Sequence, residues 1–176
     1  IQFSNEDIFA LKKIKGVQYV CPRLNMSGDV VINYKDKNGS FVLKGVNESL
    51  PHLEPKTITR GRFINAFDIK ENKKVCIVGE SVLEILMPQI KNPIGEYLQV
   101  NGVYFKIVGT FKSIKKDWGA KEDQQSIYIP YATIQSTFGQ INKVHWFSIG
   151  IEDAFDSKQV EQEIRNTLKQ RHKVAP

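Results

Sequence analysis

Leu98-Gln99-Val100-Asn101-Gly102-Val103-Tyr104-Phe105-Lys106-Ile107 is the stretch that decides the class of fold. Apolar residues at 98 and 100, and then at 103, 105 and 107, alternate along two arms, the period of strands with one buried face. Between the arms stands Asn101-Gly102, a dipeptide that readily takes the positive φ angles of a two-residue hairpin turn. A second hairpin is read upstream. Val30, Ile32 and Tyr34 alternate on the way in, Asp36-Lys37-Asn38-Gly39 supplies the turn, and Phe41 and Leu43 alternate on the way out. Two such hairpins imply antiparallel pairing.

Outward from these, helices and strands mix without a regular strand-helix-strand rhythm. Ser4-Asn5-Glu6-Asp7 predicts a helix start, with Ser4 as cap, acids in the first turn, and Ile8, Leu11 and Ile14 on one face before Gly16. Val17, Tyr19 and Val20 predict a strand broken at Pro22. Residues 47–62, punctuated by Pro51, Pro55 and Gly61, read as a connection. Val75–Val78 is a short buried strand, turned by Gly79 into a helix carrying Val82, Leu83, Leu86 and Met87 that ends at Pro88. Residues 112–125 read as an exposed polar loop around Trp118. Ile127–Pro130 is a strand leading to a short helix near Ala132–Phe138, and Val144–Ile151 is another strand with Trp146 and Phe147 as core. Asp156 and Gln159 form a capping-box pattern ahead of a helix faced by Val160, Ile164 and Leu168. The class is α+β, with mixed, largely antiparallel sheets.

The chain of 176 residues, 41% hydrophobic and 25% charged, can bury a core without staples. Its net charge is +6, from 25 Lys+Arg against 19 Asp+Glu. The cations are spread thinly, at Lys12, Lys13 and Lys15, at Lys73 and Lys74, at Lys112, Lys115 and Lys116, and at Lys169, Arg171 and Lys173. No cluster is interleaved with stacking aromatics, so no nucleic-acid partner is expected. Cys21 and Cys76 lie in apolar contexts and read as two buried free thiols; the sequence leaves open whether they pair. No run reaches the length of a membrane span, no signal peptide is seen, and a start at Ile1 instead of Met is taken as the mark of a fragment or processed chain.

The most enzyme-like fragment is Gly79-Glu80-Ser81-Val82-Leu83, but a nucleophile elbow needs Gly where Leu83 stands. The three histidines, His52, His145 and His172, are scattered, and neither they nor the cysteines have metal-ligand spacing. No phosphate-binding glycine motif occurs. Catalytic, cofactor and metal residues are therefore expected to be none. Trp118 is the single candidate interface residue: its ring either folds back onto a nearby strand or anchors a partner.

Several segments together carry a family likeness. They are Gly16-Val17-Gln18-Tyr19-Val20-Cys21-Pro22, Val42-Leu43-Lys44-Gly45-Val46-Asn47, and Ile58-Thr59-Arg60-Gly61-Arg62-Phe63-Ile64 followed by Asp68. Then come Lys74-Val75-Cys76-Ile77-Val78-Gly79, Asn92-Pro93-Ile94-Gly95-Glu96 and Val103-Tyr104-Phe105-Lys106-Ile107-Val108-Gly109. Ile127-Tyr128-Ile129-Pro130-Tyr131-Ala132-Thr133 and Leu168-Lys169-Gln170-Arg171-His172-Lys173 close the series. In this order they resemble the extracytoplasmic (periplasmic) core domain of MacB/FtsX-type ABC transporter permeases. Cys76 departs from the usual small apolar residue, and the chain stops soon after His172, before the family's return segment.

The resemblance implies a porter-like lobe from residues 1–49 plus 143–176 and an inserted Sabre-like lobe from 50–142. It implies a non-catalytic domain without cofactors, on the periplasmic face of the bacterial inner membrane, in a membrane-anchored permease. That domain would transmit ATP-driven motion to substrate or partner proteins. Implied partners are a cytoplasmic ATPase subunit, a second permease copy, and a periplasmic adaptor with an outer-membrane channel. A free-standing extracytoplasmic binding or regulatory module of the same fold is the alternative.

Overall fold

The computed structural model describes residues 2–26, 30–114 and 118–173. Along the chain run α1 (Asn5–Lys12), β1 (Val17–Asn25), β2 (Val30–Tyr34), β3 (Lys37–Val46), α2 (Leu50–Leu53), β4 (Lys56–Gly61), α3 (Ala66–Lys70) and β5 (Val75–Gly79). They are followed by α4 (Glu80–Leu86), β6 (Tyr97–Val100), β7 (Val103–Ser113), α5 (Trp118–Asp123), β8 (Ser126–Pro130), α6 (Tyr131–Thr137), β9 (Trp146–Ile151) and α7 (Ser157–His172). The α+β class is as expected.

The hairpin at 98–107 forms as its sequence dictates: Val100 pairs with Val103, and Asn101 and Gly102 both take positive φ, 48° and 81°. Its strands belong to a closed ring. β2 pairs with β6, β6 with β7, β7 with β5, β5 with β8, β8 with β3, and β3 returns to β2. The β5–β7 and β3–β8 pairings are parallel and the other four antiparallel. Ile32, Phe41, Leu43, Cys76, Val78, Leu98, Val100, Phe105, Ile107, Ile127 and Ile129 fill the interior, and Val82, Leu86 and Met87 around α4 pack into the same cluster. Closure satisfies strand edges that would otherwise stand open.

Alternate residues of the same strands face a second core. Ile77 and Tyr128, each between two interior residues, join Cys21, Val46, Leu50, Ile64 and Phe111. Both faces of β5 and β8 are buried, which is why 75–78 and 127–129 read as unbroken apolar runs. β7 changes core midway: Cys76 pairs with Ile107 but Ile77 with Gly109, so Val108 is an extra residue. That bulge turns the odd-numbered side chains from the barrel, at Phe105 and Ile107, to the outer core, at Phe111. At Gly109 a Cβ would lie 1.9 Å from the Arg62 carbonyl oxygen, so only glycine admits the neighbouring chain.

β1 and β9 pair antiparallel and carry α1 and α7 on one face, where Ile8, Leu11 and Val20 are covered by Val17, Phe147, Ile149, Ile164 and Leu168. Past Arg23, β1 leaves this ribbon and pairs Leu24 and Asn25 with Gly45 and Lys44 of β3. No helix among the described residues is long and apolar enough to cross a membrane.

Several local readings change. The second hairpin turns at Lys35-Asp36, with Lys35 at φ 53° and Tyr34 opposite Lys37, so Asn38 and Gly39 lie within β3. Gly39 faces Ile32, and the Phe41 ring fills the space its missing side chain leaves; a Cβ there would sit 2.8 Å from that ring. Pro22 does not break β1, because at that point the strand has a neighbour, β9, on one side alone. The connection 47–62 contains α2 and the strand β4, which among the described residues pairs with β7 alone and has mostly exposed side chains. The polar stretch 112–125 contains the end of β7 and helix α5. Trp146 is 41% exposed instead of core. Asp156 caps α7 by accepting from the Lys158 N–H, not by a box with Gln159.

Candidate functional site

The two ends of the described chain meet at one buried carboxylate. Ser4 starts α1, which places Asp7 in its first turn, where the side chain reaches back and Oδ2 accepts from the Ser4 N–H at 2.9 Å. α7 brings its last turn to the same point. Arg171 Nε donates to Asp7 Oδ1 at 2.6 Å, and His172 Nε2 lies 2.8 Å from Oδ2. Asp7 is wholly buried, whereas the side chains of Arg171 and His172 are 33% and 19% exposed. Burial alone would push the Asp7 carboxyl up, but the Arg171 hydrogen bond, the Ser4 N–H and His172 together hold it below the usual carboxylate range. Phe3 completes the joint, with its ring 5.4 Å from Phe147 and edge-on to His172 at 5.8 Å, and its carbonyl accepting from the Val144 N–H. Asp7 is legible as a first-turn acid; its partners, more than 160 residues away, leave no local signal.

A second junction ties the β1–β9 ribbon to the barrel. Tyr19 stacks on His52 of α2 with ring centroids 4.4 Å apart, and Asn47 Nδ2 donates to the Val20 carbonyl at 2.9 Å. Arg23 of β1 donates through Nη1 to Glu54 Oε1 at 3.0 Å and Ser148 Oγ at 3.1 Å, with its guanidinium over the Trp146 ring. Beside it, Asp123 of α5 holds Lys56 at 3.3 Å and Lys44 at 3.8 Å and accepts from the Tyr128 hydroxyl at 2.6 Å. Burial lowers the Lys44 pKa more than Asp123 raises it.

Among residues singled out from sequence, Ser81 lies in the first turn of α4, its N–H donating to the Gln124 carbonyl. The histidines are apart from it: His52 stacks on Tyr19, His145 on Trp146, and His172 sits on Asp7. Cys21 and Cys76 are free and buried, and burial pushes the Cys21 thiol up to about 11 and the Cys76 thiol still higher. Among the described residues no group of three or more His, Cys, Asp or Glu is arranged to hold a metal ion. Trp118 opens α5, but its side chain lies outside the described part of the structure.

Comparison with known proteins gives this architecture relatives. The sequence model of the family described as MacB-like periplasmic core domain matches residues 1–167. The macrolide export ATP-binding/permease protein MacB of Bdellovibrio bacteriovorus is 27% identical over 175 residues, covering 99% of this chain and 26% of that protein. The pyoverdine export ATP-binding/permease protein PvdT of Pseudomonas syringae is 25% identical over 167 residues, covering 95% of this chain and 25% of that protein. This chain thus spans about a quarter of the length of these curated relatives. Among solved structures, the periplasmic region of MacB from Actinobacillus actinomycetemcomitans superposes with a TM-score of 0.86 at 21% identity, over 98% of this chain and 76% of that one. The extracellular domain of the noncanonic ABC-type transporter YknZ from Gram-positive bacteria gives 0.82 at 20% identity, over 99% and 86%. The chain belongs to the family of MacB-like periplasmic core domains, and it is an extracytoplasmic domain.

Proposed function

We propose that this domain is the non-catalytic mechanical relay of an ABC transporter permease, carrying ATP-driven motion of a membrane dimer to substrate or partner proteins outside the membrane. The observation that carries this reading is the joint at Asp7, where the start of α1 and the end of α7 are locked side by side. A domain hung between two membrane helices needs its two attachment points together and stiff. ATP hydrolysis is assigned to a separate cytoplasmic domain or subunit, as the ATP-binding/permease names of the relatives suggest. A second permease copy, a periplasmic adaptor and an outer-membrane channel are the further partners in this reading.

The lobes are assigned as residues 1–49 plus 143–176 and 50–142. The hairpin β2–β3 is shared, because it lies in the first segment but hydrogen-bonds to β6 and β8 of the second. Trp118 is assigned to the partner surface; Trp118→Ala should weaken adaptor binding. The relay itself is tested in the full-length permease by placing a spin label at Lys37→Cys, near the barrel turn, in both copies. Distances between labels should shift across the ATP cycle, and Asp7→Ala should abolish the shift while hydrolysis persists. Distances that stay constant in the parent protein during active hydrolysis would refute the relay.

A further inference from the structure

The loop 139–143, between α6 and β9, is tied to the first turn of α1 and holds its one apolar side chain out to the surface. Ile141 is 78% exposed, more than any other large hydrophobic residue described, and Phe9 on α1 is 63% exposed. We propose that this end of the domain rests on a phospholipid surface, with Ile141 and Phe9 entering the headgroup layer and the surrounding lysines meeting anionic lipid. The inference rests on the reading above of a domain hung between membrane helices, which sets the bilayer against the joint at Asp7.

The loop is fixed by polar bonds reaching into the protein. Gln135 of α6, itself buried, exchanges two amide hydrogen bonds with Asn5, at 3.0 and 2.6 Å, and its Nε2 also donates to the Lys143 carbonyl at 2.9 Å. Asn142 takes φ 58°, and its Oδ1 accepts from the Asn5 N–H at 2.8 Å. Phe3 and Val144 bridge beside it. Single exposed hydrophobic residues are ordinary on a protein surface, but here a buried amide holds the segment that carries one beside the chain's entry. Asn5 and Phe9 lie one turn apart on the same face of α1, so Phe9 stands about 6 Å further along the axis, with Lys12 and Lys13 exposed beyond it. That depth matches the layer into which amphipathic surfaces settle at a membrane. The charge around these two side chains has one sign. Residues 131–145 and 164–173 contain no Asp or Glu, and Lys143, Lys169 and Lys173 are exposed. The two acids of α1 are turned to α7, Asp7 at 2.6 Å and Glu6 at 3.6 Å from Arg171. Glu48 acts on Tyr131, at the end of α6 away from the loop. Outside the described part at this end, Ile1, Val174, Ala175 and Pro176 add no side-chain charge. A protein partner needs a contiguous apolar patch with pockets, which two apolar side chains among amides and lysines do not make. They suit a fluid anionic surface, where shallow insertion and cation attraction add.

The test is fluorescence quenching in the full-length permease, reconstituted in vesicles of phosphatidylcholine and phosphatidylglycerol. An environment-sensitive fluorophore is attached at Ile141→Cys, at Phe9→Cys and, as reference, at Lys37→Cys near the barrel turn, and the signal of the labelled parent is subtracted. A lipid with a nitroxide near its headgroup quenches probes in the interface, and iodide quenches probes in water. The labels at 141 and 9 should be quenched by the lipid about three-fold more strongly than the label at 37, and by iodide about three-fold less. Lys143→Gln combined with Lys169→Gln, both at exposed positions, should lower the lipid quenching about two-fold, as should replacing phosphatidylglycerol by phosphatidylcholine. The proposal falls if iodide reaches the label at 141 as freely as that at 37. It falls equally if that label is shielded from iodide but untouched by lipid, since a protein then covers it. Lipid quenching indifferent both to phosphatidylglycerol and to the lysine changes overturns the anionic surface. The relay is judged separately by the Lys37→Cys spin-label distances. If these shift with ATP while residue 141 stays in water, this inference alone is lost; lipid contact at 141 with constant distances defeats the relay alone.

Discussion

Replacing Asp7 by Ala removes the buried carboxylate that joins the two ends of the described chain. The wild-type carboxylate takes the Ser4 N–H and the Arg171 Nε–H and contacts His172, all within 3 Å and with no exposure of its own. Breaking a fully buried ion pair costs about 3–5 kcal/mol, because the surviving charge is stranded. Here the survivors are only partly buried, Arg171 at 33% and His172 at 19%, and regain water when Asp7 is gone. The expected loss is therefore lower, about 2–3 kcal/mol, which for a domain of this size lowers Tm by about 5–10 °C. Urea unfolding at pH 7 measures it, and a double-mutant cycle with Arg171→Ala should return a coupling of about 1–2 kcal/mol. Hydrogen exchange should locate the damage in the last turns of α7 and the first turn of α1. An Asp7→Ala protein within about 0.5 kcal/mol of the parent, the range of ordinary surface substitutions, would refute the assignment of this joint as a structural lock.

Acid should weaken the domain through two carboxyls held low in the folded state, Asp7 by the contacts above and Asp68, whose burial is outweighed by the Arg62 pair at 2.7 and 3.1 Å. Their stabilisation is complete above the ordinary carboxylate pKa and is lost as pH falls through the depressed values, so unfolding free energy should drop below about pH 4. Asp7→Asn and Asp68→Asn should each flatten that drop, and a pH profile unchanged by both contradicts the assignment. Gly109→Ala drives a Cβ to 1.9 Å from the Arg62 carbonyl oxygen, a backbone atom that cannot swing away. It should cost about 3 kcal/mol or more, read by urea unfolding, and near-parental stability would show that β4 and β7 are not so closely packed. Cys21 and Cys76 should resist a thiol reagent at pH 8 until the protein is unfolded, since both are buried and their thiolates are scarce. Rapid labelling of either native thiol would place it at the surface.

What the sequence made legible was whatever is decided within about ten residues. The 98–107 hairpin carries its own turn chemistry, and short apolar runs at 75–78 and 127–129 mark strands with two buried faces. β4 escaped because Thr57, Ile58 and Thr59, good strand residues, are hemmed in by Pro55 and Gly61, and its partner β7 is distant in the chain, with Thr59 at an irregularity in the pairing. Trp146 misled because an aromatic on a strand is usually core, whereas here Arg23 lies against its ring near the surface. The decisive pairings were out of reach in principle. Strand period cannot tell β3 that its parallel neighbour is β8, or α1 that its carboxylate meets α7, since each side chain's partner lies across the chain.

The route from the joint into the barrel follows from one strand. β1 begins beside α1, pairs with β9 from Val17 to Arg23, and then pairs with β3 at Leu24 and Asn25, with the Met26 N–H donating to the Leu43 carbonyl. It therefore belongs to the ribbon at one end and the barrel wall at the other, with no loop between. At the crossing, a Cβ on Gly45 would lie 2.6 Å from the Leu24 carbonyl oxygen, so the two backbones are already as close as a glycine allows. The barrel beyond is closed and packed on both faces of β5 and β8, and interiors packed in this way deform little under load. In the proposed relay, a displacement applied at Asp7 would reach the barrel along a continuous backbone and its hydrogen bonds. A flexible linker at residues 24 and 25 would dissipate it, and the structure has the end of β1 there instead.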